Sequence, residues 1–327
     1  MKAASDKIVT VIGGSGFVGR YIVQKLAKQG YRVRVAVRNP NHALDLTVSG
    51  TVGQIASVQC NIRHLNSVQN AIKDSDYVIN CVGILFESGK QTFQDTQFKG
   101  AKNIATACKA LNIKKLVHIS AIGADLKSKS SYAQTKAHAE KEILDAMPNS
   151  TILRPSIIFG TEDNFFNLFA GIASISPALP LIGGGETLFQ PVYVDNVAQA
   201  AVTVLDNSET DGKIFFLGGP EKYSFKQLME KMLLQIGKKR LLLPLPFFVA
   251  KIKAFFLQLL PKPLLTVDQV ELLKSNNIVP SNALSFKDLS IEPTGLDTIL
   301  PTYLRRFRKT GDYDLGQGYT HKTGRNS

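Results

Sequence analysis

Residues 7–38 read KIVTVIGGSGFVGRYIVQKLAKQGYRVRVAVR, and this stretch decides the fold. The apolar, β-branched run from Ile8 to Ile12 has the length of a buried parallel strand. A turn of small residues follows, Gly13-Gly14-Ser15-Gly16, and then a helical pattern with apolar residues at Val18, Ile22, Val23 and Leu26. Val33 to Val37 supplies a second strand and completes a β-α-β unit. Gly14, Gly16 and Gly19 fit G-x-G-x-x-G, while Gly13, Gly16 and Gly19 fit the looser G-x-x-G-x-x-G. In either register one glycine allows the tight turn, one admits a pyrophosphate to backbone N–H groups, and one lets helix pack on strand. A turn of this kind between a strand and a helix is the setting in which the pattern signals dinucleotide binding. Gly13, Gly14, Ser15, Gly16, Phe17, Val18 and Gly19 are therefore candidate cofactor contacts.

The end of the second strand refines the choice of dinucleotide. An NAD site usually places Asp or Glu about 20 residues past the glycines, to accept from the ribose 2′-hydroxyl. Here Arg38 stands in that place, followed by Asn39-Pro40. A guanidinium cannot accept that hydrogen bond but pairs well with a 2′-phosphate, so NADPH is the expected cofactor.

Across its 327 residues the chain has the apolar content for one large α/β domain and a smaller lobe. Cys60, Cys81 and Cys108 lie at scattered spacings without C-x-x-C, which reads as a reduced protein with no disulfide or zinc site. The histidines show no metal-ligand spacing either, so no metal is expected. The first strand begins close behind Met1, so no signal or transit peptide is expected. No apolar run reaches the length of about 18 residues that a membrane span needs.

The formal net charge of +13 is uneven. Residues 1–225 hold 23 Lys+Arg against 18 Asp+Glu, a balance of +5, and residues 226–327 hold 16 against 8, a balance of +8. That excess suggests an anionic partner: a membrane surface, an acidic protein or nucleic acid. Nucleic acid is not expected, because no nucleic-acid motif or interleaved aromatics accompany the charge.

Strand and helix signals alternate as far as residue 160. Val58–Ile62, Tyr77–Ile84, Leu116–Ile119 and Thr151–Ile158 read as further strands, and Leu65–Ile72, Phe93–Leu111 and Tyr132–Met147 as helices. Repeated units of this kind make an α/β, doubly wound parallel sheet of the Rossmann type. Ligands bind at the carboxyl ends of its strands. Arg38, Asn61, Val82, Gly83, Ser120 and Pro155 stand at or near those ends and join the candidate cofactor contacts.

Residues 1–160 read as the dinucleotide-binding core, 161–309 as a smaller, mostly helical C-terminal lobe interleaved with it, and 310–327 as an irregular tail. Within the lobe, Phe189–Val194 is expected to be extended, and Asp195 to cap a helix over Val197–Leu205. Residues 247–260 predict a helix between prolines with Phe248, Ile252, Phe255, Phe256 and Leu259 on one face. Another helix starts at Thr266, with a capping box to Gln269 and a staple between Leu265 and Val270.

Tyr132 and Lys136 form Y-x-x-x-K on a helix, which puts both on one face. There a lysine can hold the nicotinamide ribose and lower the tyrosine's pKa, so that the tyrosine serves as general acid or base. Together with GGSGFVG, NCVG, YAQTK, LRPSIIFG and FQPVYVDNVAQA, the pair makes the chain resemble an extended or atypical short-chain dehydrogenase/reductase over nearly its whole length. Within that superfamily it is most similar to the nucleotide-binding accessory subunits of respiratory complex I, alpha-subcomplex subunit nine and its bacterial relatives. ILRPSIIFGTEDNFFNLFA, LFQPVYV, LPLPFF and LTVDQVELL carry that closer likeness.

The resemblance implies tightly held NADPH with a mainly structural role, complex I subunits as partners, and a cytoplasmic location, peripheral on the inner membrane (the matrix side if mitochondrial). Active superfamily members usually place Ser or Thr at the second position past the residue matching Ser120, where this chain has Ile122. Asn61 stands in place of an aspartate often found near the adenine. Tyr132 and Lys136 are then vestigial as catalysts, with Lys136 keeping its ribose contact. The alternative is an active NADP-dependent reductase, epimerase or dehydratase that uses both.

Overall fold

The computed structural model describes residues 3–261 and 263–309; the segment expected to form an irregular tail lies outside them. In chain order the first half runs β1 (Ile8–Ile12), α1 (Phe17–Lys28), β2 (Arg32–Val37), β3 (Ile55–Gln59), α2 (Leu65–Ile72), β4 (Tyr77–Asn80), α3 (Gly100–Ala110), β5 (Lys115–Ile119), α4 (Ser131–Ala146) and β6 (Thr151–Pro155). Then come β7 (Ile158–Phe159), α5 (Phe166–Ile175), β8 (Ala178–Ile182), β9 (Leu188–Phe189), β10 (Val192–Tyr193), α6 (Val194–Thr203) and β11 (Ile214–Leu217). The remainder holds β12 (Tyr223–Ser224), α7 (Phe225–Gln235), β13 (Leu241–Leu245), α8 (Phe247–Leu257), α9 (Val267–Leu272) and α10 (Leu296–Leu304).

Seven strands make one parallel sheet in the order β11-β6-β5-β4-β1-β2-β3. Val11 of β1 pairs with Val35 on one side and Ile79 on the other. The chain runs outward from β1 to β3 and returns to lay β4 on the other flank of β1, so the order reverses between β1 and β4. Open α/β sheets bind ligands at such a switch point, outside the carboxyl ends of the strands. Both faces are covered. Ile22, Val23 and Leu26 of α1 join Val197 and Ala201 of α6 against one face, and Val68, Ile104 and Ile143 of α2, α3 and α4 pack on the other. Phe166, Phe225, Leu228 and Leu300 unite α5, α7 and α10 in a third cluster, and β8 pairs with β13 beside them.

Several sequence expectations shift. The third strand is Ile55–Gln59 instead of Val58–Ile62; β2 fixes its register through Val37↔Gln59, and Ile62 packs against Gly100 instead. The fourth strand stops at Asn80, whose Oδ1 accepts from Val82 N at 3.0 Å and turns the chain out of the sheet. The strand expected over Thr151–Ile158 is interrupted after Pro155 and resumes at Ile158, to pair with β10. The helix expected over Phe93–Leu111 is a π-helix, Phe93–Lys99, followed by α3. Gly100 begins α3 so close to Ile62 that a Cβ there would lie 2.5 Å from Ile62 Cδ1.

In the lobe, the helix over 247–260 ends at Leu257. Tyr193, not Asp195, stands at the N-cap position of α6, without a side-chain cap; Asp195 sits in its first turn, paired with Lys25 of α1 at 2.8 Å. The capping box of Thr266 with Gln269 is present at α9. β8, β11 and β13 had no clear sequence signal.

Candidate functional site

The glycine turn joins β1 to α1, and each glycine there has a distinct task. Gly13 is left-handed, with φ 79°, and a Cβ on it would lie 3.0 Å from Val82 Cγ2. At Gly14 a Cβ would lie 2.9 Å from Val35 Cγ1, and at Gly19 it would lie 2.4 Å from Gly13 O. These two close α1 and the turn against the sheet. Gly16 differs, since its Cβ would meet only Gly13 O at 3.3 Å and otherwise enter open space. Gly16 is also the N-cap of α1 and brings no side-chain cap, so the N–H groups of the first turn, from Phe17 and Val18 onward, are available to an anion.

At the end of β2, Ser15, Val37, Arg38, Asn39 and His42 line a cleft of about 270 Å³. Asn39 Oδ1 accepts from Asn41 N at 3.2 Å and starts the 3₁₀ turns that fold His42 back beside it, with Asn39 Nδ2 and His42 Nε2 3.4 Å apart. Arg38 thus faces the same space as the turn serine Ser15. Asn61, just past β3, spends its Oδ1 on the backbone N–H and Nε of Arg63, at 3.2 and 3.3 Å.

The loop after β4 ties the glycine turn to α4. Val82 touches Gly13, and a Cβ on Gly83 would lie 3.4 Å from Lys136 Nζ. Asn80 holds this loop, and its Nδ2 lies 3.0 Å from His118 Nδ1. Burial, with the Lys136 charge added, keeps the His118 imidazole neutral well below the usual histidine range. Lys136 is itself buried and donates to Ile119 O at 3.0 Å. Burial pushes its amine down to about 8, against the opposing pull of Glu140.

Tyr132 does not follow the sequence expectation that Lys136 lowers its pKa. Burial, and after it the Asp268 carboxylate, pushes the phenol up to about 12. Asp268 comes from α9 and caps α4 from outside, accepting from Ser130 Oγ and Ser131 N at 2.7 Å each and from Tyr132 N at 3.4 Å. The ring of Phe93, at the start of the π-helix, stands edge-on to Tyr132. Ser120 donates its hydroxyl to Glu140, which Arg154 also holds through Nε at 2.9 Å. Pro155 is buried at the end of β6, where its carbonyl accepts from Ile122 N at 2.9 Å. Ile122 is buried too, and Asn277 Nδ2 donates to its carbonyl at 3.2 Å. Asn277 accepts from Ser156 Oγ as well, so the segment around it spans the ends of β5 and β6.

The NAD dependent epimerase/dehydratase family model matches residues 9–218, and a relative from Arabidopsis thaliana is 35% identical over 94% of this chain and 80% of its own length. The chain belongs to the NAD dependent epimerase/dehydratase family. That Arabidopsis relative is NADH dehydrogenase [ubiquinone] 1 alpha subcomplex subunit 9, mitochondrial; the mouse protein of the same name is 32% identical over 94% of this chain and 82% of its own. The epimerase/dehydratase fold recurs in dTDP-glucose 4,6-dehydratase of Streptomyces venezuelae, solved with NAD bound, at TM-score 0.69 and 17% identity over 91% of this chain and 96% of that one.

For a member of this family the residues present fit a dinucleotide. Gly14 and Gly19 have no space for a side chain, whereas Gly16 opens onto the uncapped start of α1. Sequence reading missed His42, Asp268, His118 and Asn277. His42 could have been found, because Asn39-Pro40 is a cap followed by proline and marks a helical turn that returns over Arg38. Asp268 and Asn277 carry no local signal, because their partners lie more than a hundred residues upstream.

Proposed function

We propose that the protein is an accessory subunit of a respiratory NADH:quinone oxidoreductase, complex I, that holds NADPH as a structural component with little or no turnover. It acts at the inner membrane as a peripheral protein, on the matrix side where the host is a mitochondrion. The observation that carries this reading is the likeness to complex I subunits along 94% of the chain. Arg38, with Ser15 and His42 beside it, supports the choice of the 2′-phosphate form. The first turn of α1 would take the pyrophosphate, and Lys136 the nicotinamide ribose.

A bound nicotinamide would supply a hydride, but the surrounding side chains are poorly set for proton transfer. A phenol at about 12 is a weak acid that is rarely ionised near neutral pH, and Ile122 offers no donor to a substrate oxygen. Purification of a tagged chromosomal copy in mild detergent tests the proposal. Complex I subunits and stoichiometric NADPH should travel with it. Recovery as a free species that turns over a carbonyl or sugar-nucleotide substrate, with loss of turnover in Tyr132→Phe, would replace this reading with that of an active reductase or epimerase.

A further inference from the structure

α8 is built inside out. Its buried residues are Ala250 and Ala254, which cluster with Val270 of α9 and Ile182 of β8. Phe247 packs into the same cluster, but the large apolar side chains of the opposite face point to solvent. Phe248, Ile252, Phe255, Phe256 and, just past its end, Leu259 are each between 56 and 74% exposed. Their spacing puts them on one face, whereas a helix packed on its own domain turns residues of this size inward. Together they form an apolar patch of the kind that marks an interaction surface. β13 leads into α8 through Pro246 and adds Leu241 and Leu243 on alternate, exposed positions of an edge strand.

The charge around this face has one sign. Residues 238–264 contain Lys238, Lys239, Arg240, Lys251, Lys253 and Lys262 and no Asp or Glu. Among the described residues, Glu271 of α9 reaches α8 and is taken by Lys251 at 2.6 Å and Lys274 at 3.0 Å. Lys253 stays exposed beside the phenylalanines. With 11 residues α8 is about 16 Å long, and among the described residues no helix is long and apolar enough to cross a membrane. A short helix with aromatic and aliphatic residues on one side and lysines along the edge suits the plane of a lipid interface.

We propose that the outer face of α8 and β13 docks into the interfacial layer of a bilayer containing anionic lipid. Phe255 and Phe256 enter among the acyl chains, while Lys253 and the Lys238–Arg240 run meet headgroup phosphates. The positive charge of exposed Lys253 and of the Lys238–Arg240 run favours this occupant over an apolar protein groove or a second copy of the same basic chain. The proposal deepens the accessory-subunit reading and rests on it only for which membrane is involved.

The test uses the full-length chain loaded with NADPH and vesicles of phosphatidylcholine alone or of equal parts phosphatidylcholine and phosphatidylglycerol. Co-sedimentation should favour the anionic vesicles at least about tenfold and weaken as salt rises. The double variant Phe255→Ser/Phe256→Ser should lose at least about tenfold in vesicle binding, with thermal midpoint and NADPH affinity unchanged because both residues are exposed. Lys238→Gln/Lys239→Gln/Lys253→Gln should erase the preference for anionic lipid.

Absence of binding to either vesicle, equal binding to both, or native binding by the Phe variant would each overturn the proposal. So would a dimer of the native chain that the Phe variant dissolves. Co-migration with complex I on native gels is read separately. Intact co-migration without vesicle binding removes the lipid surface and leaves the proposed function, and the reverse outcome removes the function and leaves the surface.

Discussion

Gly16 and Gly19 belong to one glycine motif, yet the structure separates their tasks, and substituting each by alanine should expose the difference. A Cβ at Gly19 would stand 2.4 Å from Gly13 O and 2.7 Å from Gly14 Cα, both backbone atoms of the turn. An ordinary carbon–oxygen approach is about 3.3 Å or more, so the turn and α1 must separate by roughly 1 Å. Overpacking of this kind costs about 1–3 kcal/mol, and backbone against backbone belongs at the upper end. Alanine's better helix propensity returns about 1 kcal/mol, leaving a net loss of about 2 kcal/mol. For a chain of this size that lowers the thermal midpoint by about 3 °C, before any nucleotide is added.

At Gly16 a Cβ would meet only Gly13 O, at 3.3 Å, and the backbone there is extended, with φ −75° and ψ 173°. Loss of a glycine N-cap costs at most about 1 kcal/mol, so Gly16→Ala should unfold within about 1.5 °C of the native chain. Its defect should be in binding, because the new methyl group occupies the approach to the first N–H groups of α1. A tenfold loss of affinity corresponds to about 1.4 kcal/mol. Differential scanning fluorimetry with and without NADPH reads both quantities, since saturating ligand at about 100 Kd raises stability by about 2.7 kcal/mol. Equal destabilisation of the two apo variants, or native NADPH affinity in Gly16→Ala, would refute the division of labour.

Arg38→Asp should reverse a native preference for NADPH over NADH, worth ~1.5–3 kcal/mol, as measured by calorimetry with both nucleotides; equal native affinities would remove Arg38 from the 2′-phosphate site. Lys136 has a folded pKa depressed from 10.5 to about 8, so the stability it contributes is full above 10.5 and is lost as pH falls through 8, by about 3 kcal/mol. Lys136→Met should therefore raise apo stability at pH 7 and flatten its dependence between those values while weakening NADPH, and an unchanged pH profile would contradict the burial argument. Asp268→Asn should lower the tyrosinate transition of Tyr132 from about 12, seen by ultraviolet titration against Tyr132→Phe, and should destabilise α4 by about 1 kcal/mol through the weakened cap.

Short-range patterns made much of this protein legible from its residues alone. The strand, glycine turn and helix over residues 8–28, the alternation that yields a parallel sheet, the Thr266 capping box and the Tyr132–Lys136 spacing are all set by dihedral limits and helical or strand periods within a few residues. Packing decided the rest. β11 joins the edge of the central sheet from beyond α6, and β8 and β13 pair although β13 includes Pro244, because each finds a partner strand that no local period announces. Contact with Ile62 leaves no space for a side chain at Gly100, and the two similar glycines were divided by what lies beneath each Cβ.

The site followed the same rule. Local spacing put Lys136 and Tyr132 on one turn of α4, but only the folded chain brought Gly83 beside Lys136 and Asp268 to the start of α4, turned Ser120 onto Glu140 and laid Asn277 across the ends of β5 and β6. Whether a hydroxyl faces the crevice or a phenol is poised to lose its proton depends on burial and on charges distant in sequence, and those are properties of the tertiary structure.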